Sequence, residues 1–177
     1  MQNNYSKQQA LQVILFFLFS IVIQAQVKNN VEKTGATQAA TIFKVEDDDI
    51  EMANAILKAK QTFNEFETAI RSENSNLKGF SLKKGYQSYK GVELLWIANV
   101  MVYEKKNKYV GIVKNEPEYT KDVKYDDIAE ISNDEVSDWL YLDNGVVKGG
   151  YTLRLLRNRM TAAERKQFDA ESHLIFD

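Results

Sequence analysis

The sequence contains no cysteine, and this absence excludes several classes of protein. Disulfide frameworks, thiolate nucleophiles, cysteine zinc sites and acylated lipoproteins all need that residue. His173 is the one histidine, so neither a zinc site with three histidines nor a histidine-based nucleophile can be assembled. We therefore expect no metal and no cofactor, and a fold stabilised by packing alone.

The sequence also lacks an excess of positive charge. With 23 Lys and Arg against 25 Asp and Glu, its formal net charge is −2. Such a chain has no surface built to neutralise phosphate backbones, so nucleic acid is not an expected partner. A length of 177 residues with 44% hydrophobic residues fits one globular domain with a substantial core.

The apolar run near the N-terminus is short. Residues 13–23 would span about 16 Å as a helix, roughly half of a hydrocarbon core, and Ala25 supplies a small residue suited to cleavage. We predict a signal peptide over residues 1–25, a periplasmic or secreted protein, and no membrane span in the mature chain. An uncleaved N-terminal membrane anchor is the alternative.

The next segment is polar. Residues 26–41 are rich in Asn, Gln, Thr and Lys and have no usable periodicity, so we expect a flexible polar leader. A single domain is predicted over residues 42–177, and residues 42–45 are a candidate short strand at its edge.

Apolar residues at steps of three and four predict one helix after the leader. They are Met52, Ala53, Ile56, Ala59, Phe63, Phe66 and Ile70. Asp48 and Glu51 fit a capping box at the start of this helix. The triple aspartate at residues 47–49 lacks the spacing, the glycine and the closing glutamate of a calcium loop.

From Phe80 onward a period of two predicts strands. Residues 92–103 are apolar on both sides, as in a central strand that is covered on both faces. Asn144-Gly145 predicts a tight hairpin turn, and Thr161 with Glu164 predicts a capping box at a last helix. The predicted fold is α+β: an N-terminal helix packed on a curved antiparallel sheet of about five strands, with short C-terminal helices.

Residues 136–160 hold most of the residue types that recognise polar ligands. Gly149-Gly150 leads into a predicted helix, where backbone amides of residues 150–152 are expected to point outward as an anion site. The predicted ligand site comprises Asp138, Trp139, Gly149, Gly150, Tyr151, Thr152, Arg154 and Arg157, the arginines adding bidentate contacts. Alternatively, the glycines only permit a sharp turn and the arginines pair with Asp138, Asp134 or Glu93.

Two interpretations remain open for the large aromatic residues Trp96, Trp139, Tyr141 and Tyr151. They form either a platform for a sugar or peptide, or core positions whose polar edges are satisfied internally. Trp139 is the better candidate for exposure.

The chain resembles a known family at these motifs. Ser137-Asp138-Trp139-Leu140-Tyr141, Asn144-Gly145 and the run from Gly149 to Arg154 are similar to the YegJ-like family of small bacterial proteins, the DUF2314 group. The likeness extends through Phe80-Ser-Leu-Lys, Glu93-Leu-Leu-Trp96, Gly111 and Asn115-Glu116-Pro117, and covers about Asp48 to Glu164. Leu94-Leu95 stands where the family often has a histidine after the glutamate. The resemblance supports the fold and implies no activity.

The leading functional hypothesis is an exported, non-enzymatic module that binds a protein or a small anionic ligand. An immunity-type protein that blocks a toxin in the periplasm is a specific version. The alternative is a cell-envelope hydrolase that uses Glu93 or Asp138, with Arg154 as its electrostatic partner.

Overall fold

The computed structural model describes residues 47–177, and the predicted signal peptide, leader and edge strand at residues 42–45 lie outside them. The α+β prediction is confirmed, with six strands. The helices are α1 (Asp47–Gln61), α2 (Phe63–Ile70), α3 (Tyr151–Arg159) and α4 (Ala162–Ser172). The strands are β1 (Leu77–Ser88), β2 (Gly91–Tyr103), β3 (Lys108–Val113), β4 (Ile128–Ile131), β5 (Val136–Asp143) and β6 (Val146–Gly149).

The single helix predicted at the start of the domain is two helices, α1 and α2, which break at Thr62. The Thr62 hydroxyl donates to the carbonyl of Lys58 at 2.9 Å and lies 3.0 Å from the hydroxyl of Tyr151. The predicted capping box is wrong, because Asp48 lies inside α1 and Glu51 instead accepts a hydrogen bond from Arg159 at 2.8 Å.

The six strands form one antiparallel sheet in the order β4-β3-β2-β1-β5-β6. Side chains alternate between its two faces along each strand. The inner face carries a core packed under α1 and α2, formed by Ala59, Phe63, Phe66, Leu82, Leu95, Ile97, Tyr109 and Trp139 among others. The outer face carries a second core with α3, α4 and the tail, formed by Trp96, Leu140, Val147, Leu153, Met160, Phe168 and Leu174. Strand β2 is therefore covered on both faces, as predicted.

The sheet is strongly curved. Lys84 on β1 donates to the backbone carbonyl of Glu130 on β4 at 3.2 Å, although β2 and β3 lie between these strands. The same ammonium pairs with Glu135 at 2.7 Å. Only a curled sheet brings these positions together, since three strand spacings in a flat sheet amount to about 14 Å.

The C-terminal predictions are confirmed. Thr161 and Glu164 form a capping box at the start of α4. The tail docks beside β6, where Ile175 forms a parallel bridge with Val146 and its carbonyl accepts from the amide of Val147 at 2.8 Å. Among residues 47–177, no helix combines the length and the hydropathy needed to cross a bilayer.

Candidate functional site

The Gly149-Gly150 turn lies against the indole of Trp139. Both glycines have positive φ, 71° and 65°, a backbone region that residues other than glycine rarely adopt. A Cβ atom on Gly149 would overlap the carbonyl oxygen and the ring of Trp139, and the amide of Gly150 donates to that same carbonyl at 2.7 Å. The doublet therefore turns the chain from β6 into α3 in close contact with a core side chain.

The start of α3 does bind an anion, and that anion is the carboxylate of Asp138. Its Oδ1 accepts from the amides of Trp139 at 2.8 Å and Tyr151 at 3.2 Å. Its Oδ2 accepts from the amide of Thr152 at 2.8 Å and from the Thr152 hydroxyl at 2.6 Å. The prediction of outward, unpaired amides is therefore wrong, because strand pairing brings a carboxylate of this chain to the helix N-terminus.

Lys83 completes a buried polar cluster with Asp138 and Thr152. It pairs with Asp138 across β1 and β5, is only 2% exposed, and donates from Nζ to Thr152 Oγ1 at 3.1 Å. Its ammonium also lies 5.3 Å from the ring centroid of Trp96. Burial lowers the pKa of Lys83 to about 8 and raises the pKa of Asp138, while the attraction between the two opposes both shifts.

Trp139 is fully buried, so the prediction of its exposure is wrong and the core interpretation is confirmed. Its Nε1 donates to the carbonyl of Ala59 at 2.8 Å. Its ring stacks on Tyr141, with centroids 5.9 Å apart, and meets Tyr151 edge to face at the same distance. Trp96 is buried in the outer-face core.

Both arginines of the predicted site are used within the chain. Arg154 donates to the carbonyls of Gly149 and Val147 and to the carboxylate of Asp177, at 2.9, 2.6 and 2.7 Å. Arg157 makes a bidentate pair with Asp169, with both distances 2.7 Å. The alternative partners Asp138, Asp134 and Glu93 were also wrong, because the tail and α4 provide closer carboxylates.

Glu93 binds backbone amides of the loop between β3 and β4. Its carboxylate accepts from the amides of Glu118, Tyr119 and Thr120 at 2.7, 3.1 and 2.7 Å. Glu93 shares the inner face with Leu95, whereas Asp138 shares the outer face with Lys83. The two carboxylates proposed for a hydrolase thus lie on opposite faces of the sheet. Within residues 47–177, no three His, Asp or Glu side chains converge as metal ligands would.

The structure exposes aromatic surface at the hairpin between β1 and β2, close to Glu93. We call Tyr89, Lys90 and Tyr119 the tyrosine notch. The two rings meet edge to face, with centroids 5.8 Å apart and planes at 88°, and Tyr89 is 76% exposed. Lys90 Nζ lies 4.2 Å from the ring centroid of Tyr119 and 5.9 Å from that of Tyr89.

The backbone on both sides of the tyrosine notch is held by hydrogen bonds. In the hairpin, the Ser88 hydroxyl donates to the carbonyl of Gly91 at 2.7 Å and accepts from the amide of Lys90 at 3.2 Å. In the facing loop, Glu93 holds Tyr119 and its neighbours. Sequence analysis missed the notch, because its halves are about thirty positions apart. The available signal for this loop contact was Glu93, a single charged residue near the start of an apolar strand.

Comparison with known proteins finds similarity to bacterial proteins. Residues 49–176 match the model of the family described as "Uncharacterized protein conserved in bacteria (DUF2314)". Over 78 residues the chain is 32% identical to a Neisseria meningitidis serogroup B protein named for ankyrin repeats, and this stretch covers 44% of this chain and 30% of that protein. Over 102 residues it is 24% identical to YegJ of Escherichia coli K12, and this stretch covers 58% of this chain and 64% of YegJ. The chain thus spans less than two thirds of either relative, and no solved structure matches.

Proposed function

This chain belongs to the DUF2314 family. We propose that it works as an exported interaction module that binds a partner without transforming it. The observation that carries this proposal is the tyrosine notch, in which the exposed ring of Tyr89 meets the half-buried ring of Tyr119 on a backbone fixed from both sides. Tyrosine is enriched at binding interfaces because it buries a large amphipathic surface at low entropic cost.

The burial and internal hydrogen bonds of the polar side chains support a binding role over a catalytic one. A general acid, base or nucleophile needs access to its substrate. Asp138 and Thr152 are fully buried, and the carboxylate of Glu93 holds three amides. Arg154 faces the tail instead of either carboxylate. The hydrolase alternative therefore finds no open, convergent pair among these residues.

The Neisseria relative adds a second line of support. The stretch similar to this chain makes up 30% of a longer protein named for ankyrin repeats. Repeat arrays of that kind present extended binding surfaces. A fold that occurs as one part of such a protein is in keeping with a module whose role is to hold a partner.

Photo-crosslinking tests the binding role. A photoreactive residue at position 89 of the full chain, expressed in its host, should give one adduct that excess unlabelled protein competes away. A double variant, Tyr89→Ala with Tyr119→Ala, should fail to compete. The same photoreactive residue at position 60, an exposed site on α1, is the matched control. Equal adducts at both positions, or no adduct at position 89, would contradict the proposal.

Export and the immunity version need separate tests. Fractionation and N-terminal sequencing should find the mature chain outside the cytoplasm, beginning at Gln26; retention of residues 1–25 would instead favour the anchored alternative. For the immunity version, the protein should rescue cells from a toxin encoded beside it, and the Tyr89→Ala, Tyr119→Ala double variant should not. A partner that proves harmless to cells would remove the immunity version and leave the binding role.

A further inference from the structure

We infer that the tyrosine notch recognises an alkylammonium group on the partner, such as a lysine side chain or a methylated amine, and that Lys90 occupies this site within the chain. The inference rests on the proposed binding role and adds the chemistry of the group that is bound.

The geometry of the notch suits a cation. The face of an aromatic ring is electron-rich, and an ammonium within about 6 Å of the ring centroid is attracted to it. Lys90 Nζ meets that limit for both rings, at 4.2 Å from Tyr119 and 5.9 Å from Tyr89. Because the ring planes are almost perpendicular, they form two walls of one notch.

The electrostatic surroundings also favour positive charge. The hydrogen bond with Glu118, burial and, more weakly, the charges of Glu118 and Glu93 raise the pKa of the Tyr119 hydroxyl to about 12. The two carboxylates near this ring give the notch a negative local field. The same field attracts an ammonium group to the adjacent ring face.

Lys90 differs from other lysines that lie over tyrosines in the described chain. Lys84 over Tyr86, Lys106 over Tyr103 and Lys114 over Tyr125 each also pair with a carboxylate. Within residues 47–177, no carboxylate oxygen lies within ion-pair distance of Lys90. Its ammonium is held by ring faces alone, at an exposed hairpin tip. A partner's ammonium can therefore replace it at small cost, because no ion pair has to be broken.

The fixed backbone prepares the notch for its ligand. Glu93 and the Ser88 hydroxyl hold the two tyrosine-bearing segments in place, so little ordering remains for binding to impose. Preorganisation of this kind raises affinity by lowering the entropic cost of association.

Titration with choline tests the inference, with 3,3-dimethylbutan-1-ol as its uncharged isostere. Backbone amide shifts in NMR spectra of the full chain, at constant ionic strength, report binding. Choline should give saturable shifts at residues 89, 90 and 118–120, and the isostere should not. Lys90→Ala should tighten binding about two- to five-fold, the equivalent of one exposed cation–ring contact.

Three variants of the notch and one control variant separate the rings from the rest of the surface. Tyr119→Leu should abolish the choline shifts, and Tyr119→Phe should keep them because the ring face remains. Tyr89→Leu weakens binding without any change in the core, since Tyr89 is exposed. Tyr103→Leu, which removes the ring beneath Lys106, is the control and should have no effect.

Equal shifts with choline and its isostere would overturn the inference, as would undiminished binding in Tyr89→Leu and Tyr119→Leu. If choline fails while the specific adduct at position 89 persists, the notch binds its partner by other chemistry and the proposed function stands. If the adduct is also absent, the binding role itself fails.

Discussion

The indole Nε1 of Trp139 donates to the carbonyl oxygen of Ala59 at 2.8 Å. This bond joins the interior of β5 to the last turn of α1, just before the break at Thr62. Both partners are fully buried, so water cannot take over the bond if either side loses it. The largest aromatic side chain of the predicted ligand site thus anchors the first helix to the sheet.

Trp139→Phe should lower the free energy of unfolding by about 3 kcal/mol, since it leaves the Ala59 carbonyl unpaired and opens a small cavity. Urea denaturation at pH 7 measures the change. Tyr89→Phe, at an exposed ring, should stay within about 0.5 kcal/mol of the parent protein. A loss below about 1 kcal/mol in Trp139→Phe would contradict the role of this bond.

Gly149→Ala and Gly150→Ala should differ sharply. Both place a side chain at positive φ, which costs about 1–2 kcal/mol. Only the Cβ at position 149 overlaps Trp139; at position 150 the nearest atom is Val147 Cγ1 at 3.3 Å. We expect Gly149→Ala to lose about 2 kcal/mol more than Gly150→Ala in urea denaturation, because overpacking adds to the backbone strain. Equal losses would show that the ring contact is unimportant.

Lys83 should titrate near pH 8 in the folded protein, which side-chain NMR of its Nζ or Cε can follow. Asp138→Asn should move the midpoint lower, because the Asp138 charge is what raises the pKa of Lys83 against the effect of burial. The unfolded chain binds this proton up to about pH 10.4. Between these values the unfolded state holds more protons, so the Lys83 contribution to the free energy of unfolding rises with pH.

That contribution can be isolated with Lys83→Met. The difference in the free energy of unfolding between parent and variant should shift in favour of the parent as the pH rises from 8 to 10. A difference that shifts the other way would mean that the fold favours the charged ammonium.

Glu93→Gln should loosen the loop that carries Tyr119. The charged carboxylate accepts three amide bonds, and a neutral amide replaces at most part of that set. Hydrogen exchange at the amides of residues 118–120 should become about tenfold faster or more, which corresponds to about 1.4 kcal/mol of local stability. Glu116→Gln, in the same loop but exposed, should leave their exchange unchanged.

Local signals in the sequence were sufficient for much of the fold. The capping box at Thr161 and the turn at Asn144-Gly145 depend on neighbours a few residues away, so the chain itself specifies them. The break at Thr62 was missed because the apolar spacing runs through it and the contact with Tyr151 comes from a distant element.

The candidate site depended on contacts that spacing does not show. The prediction of an anion at the start of α3 was chemically sound, but the pairing of β5 with β6 supplies Asp138 as that anion. Alternation places Lys83 and Lys84 on opposite faces. This alternation does not indicate that α3 buries Lys83, or that the sheet curls so that Lys84 reaches β4.

The reach of Lys84 to the Glu130 carbonyl has a consequence for solubility. Among the strands that the structure describes, β4 lies at one edge of the sheet, where unpaired backbone groups template aggregation with other chains. The ammonium of Lys84, which is paired with Glu135, donates to the backbone of this strand at Glu130. An incoming strand would therefore meet a backbone that β1 already contacts, so the curl that shapes the core also limits pairing at this position.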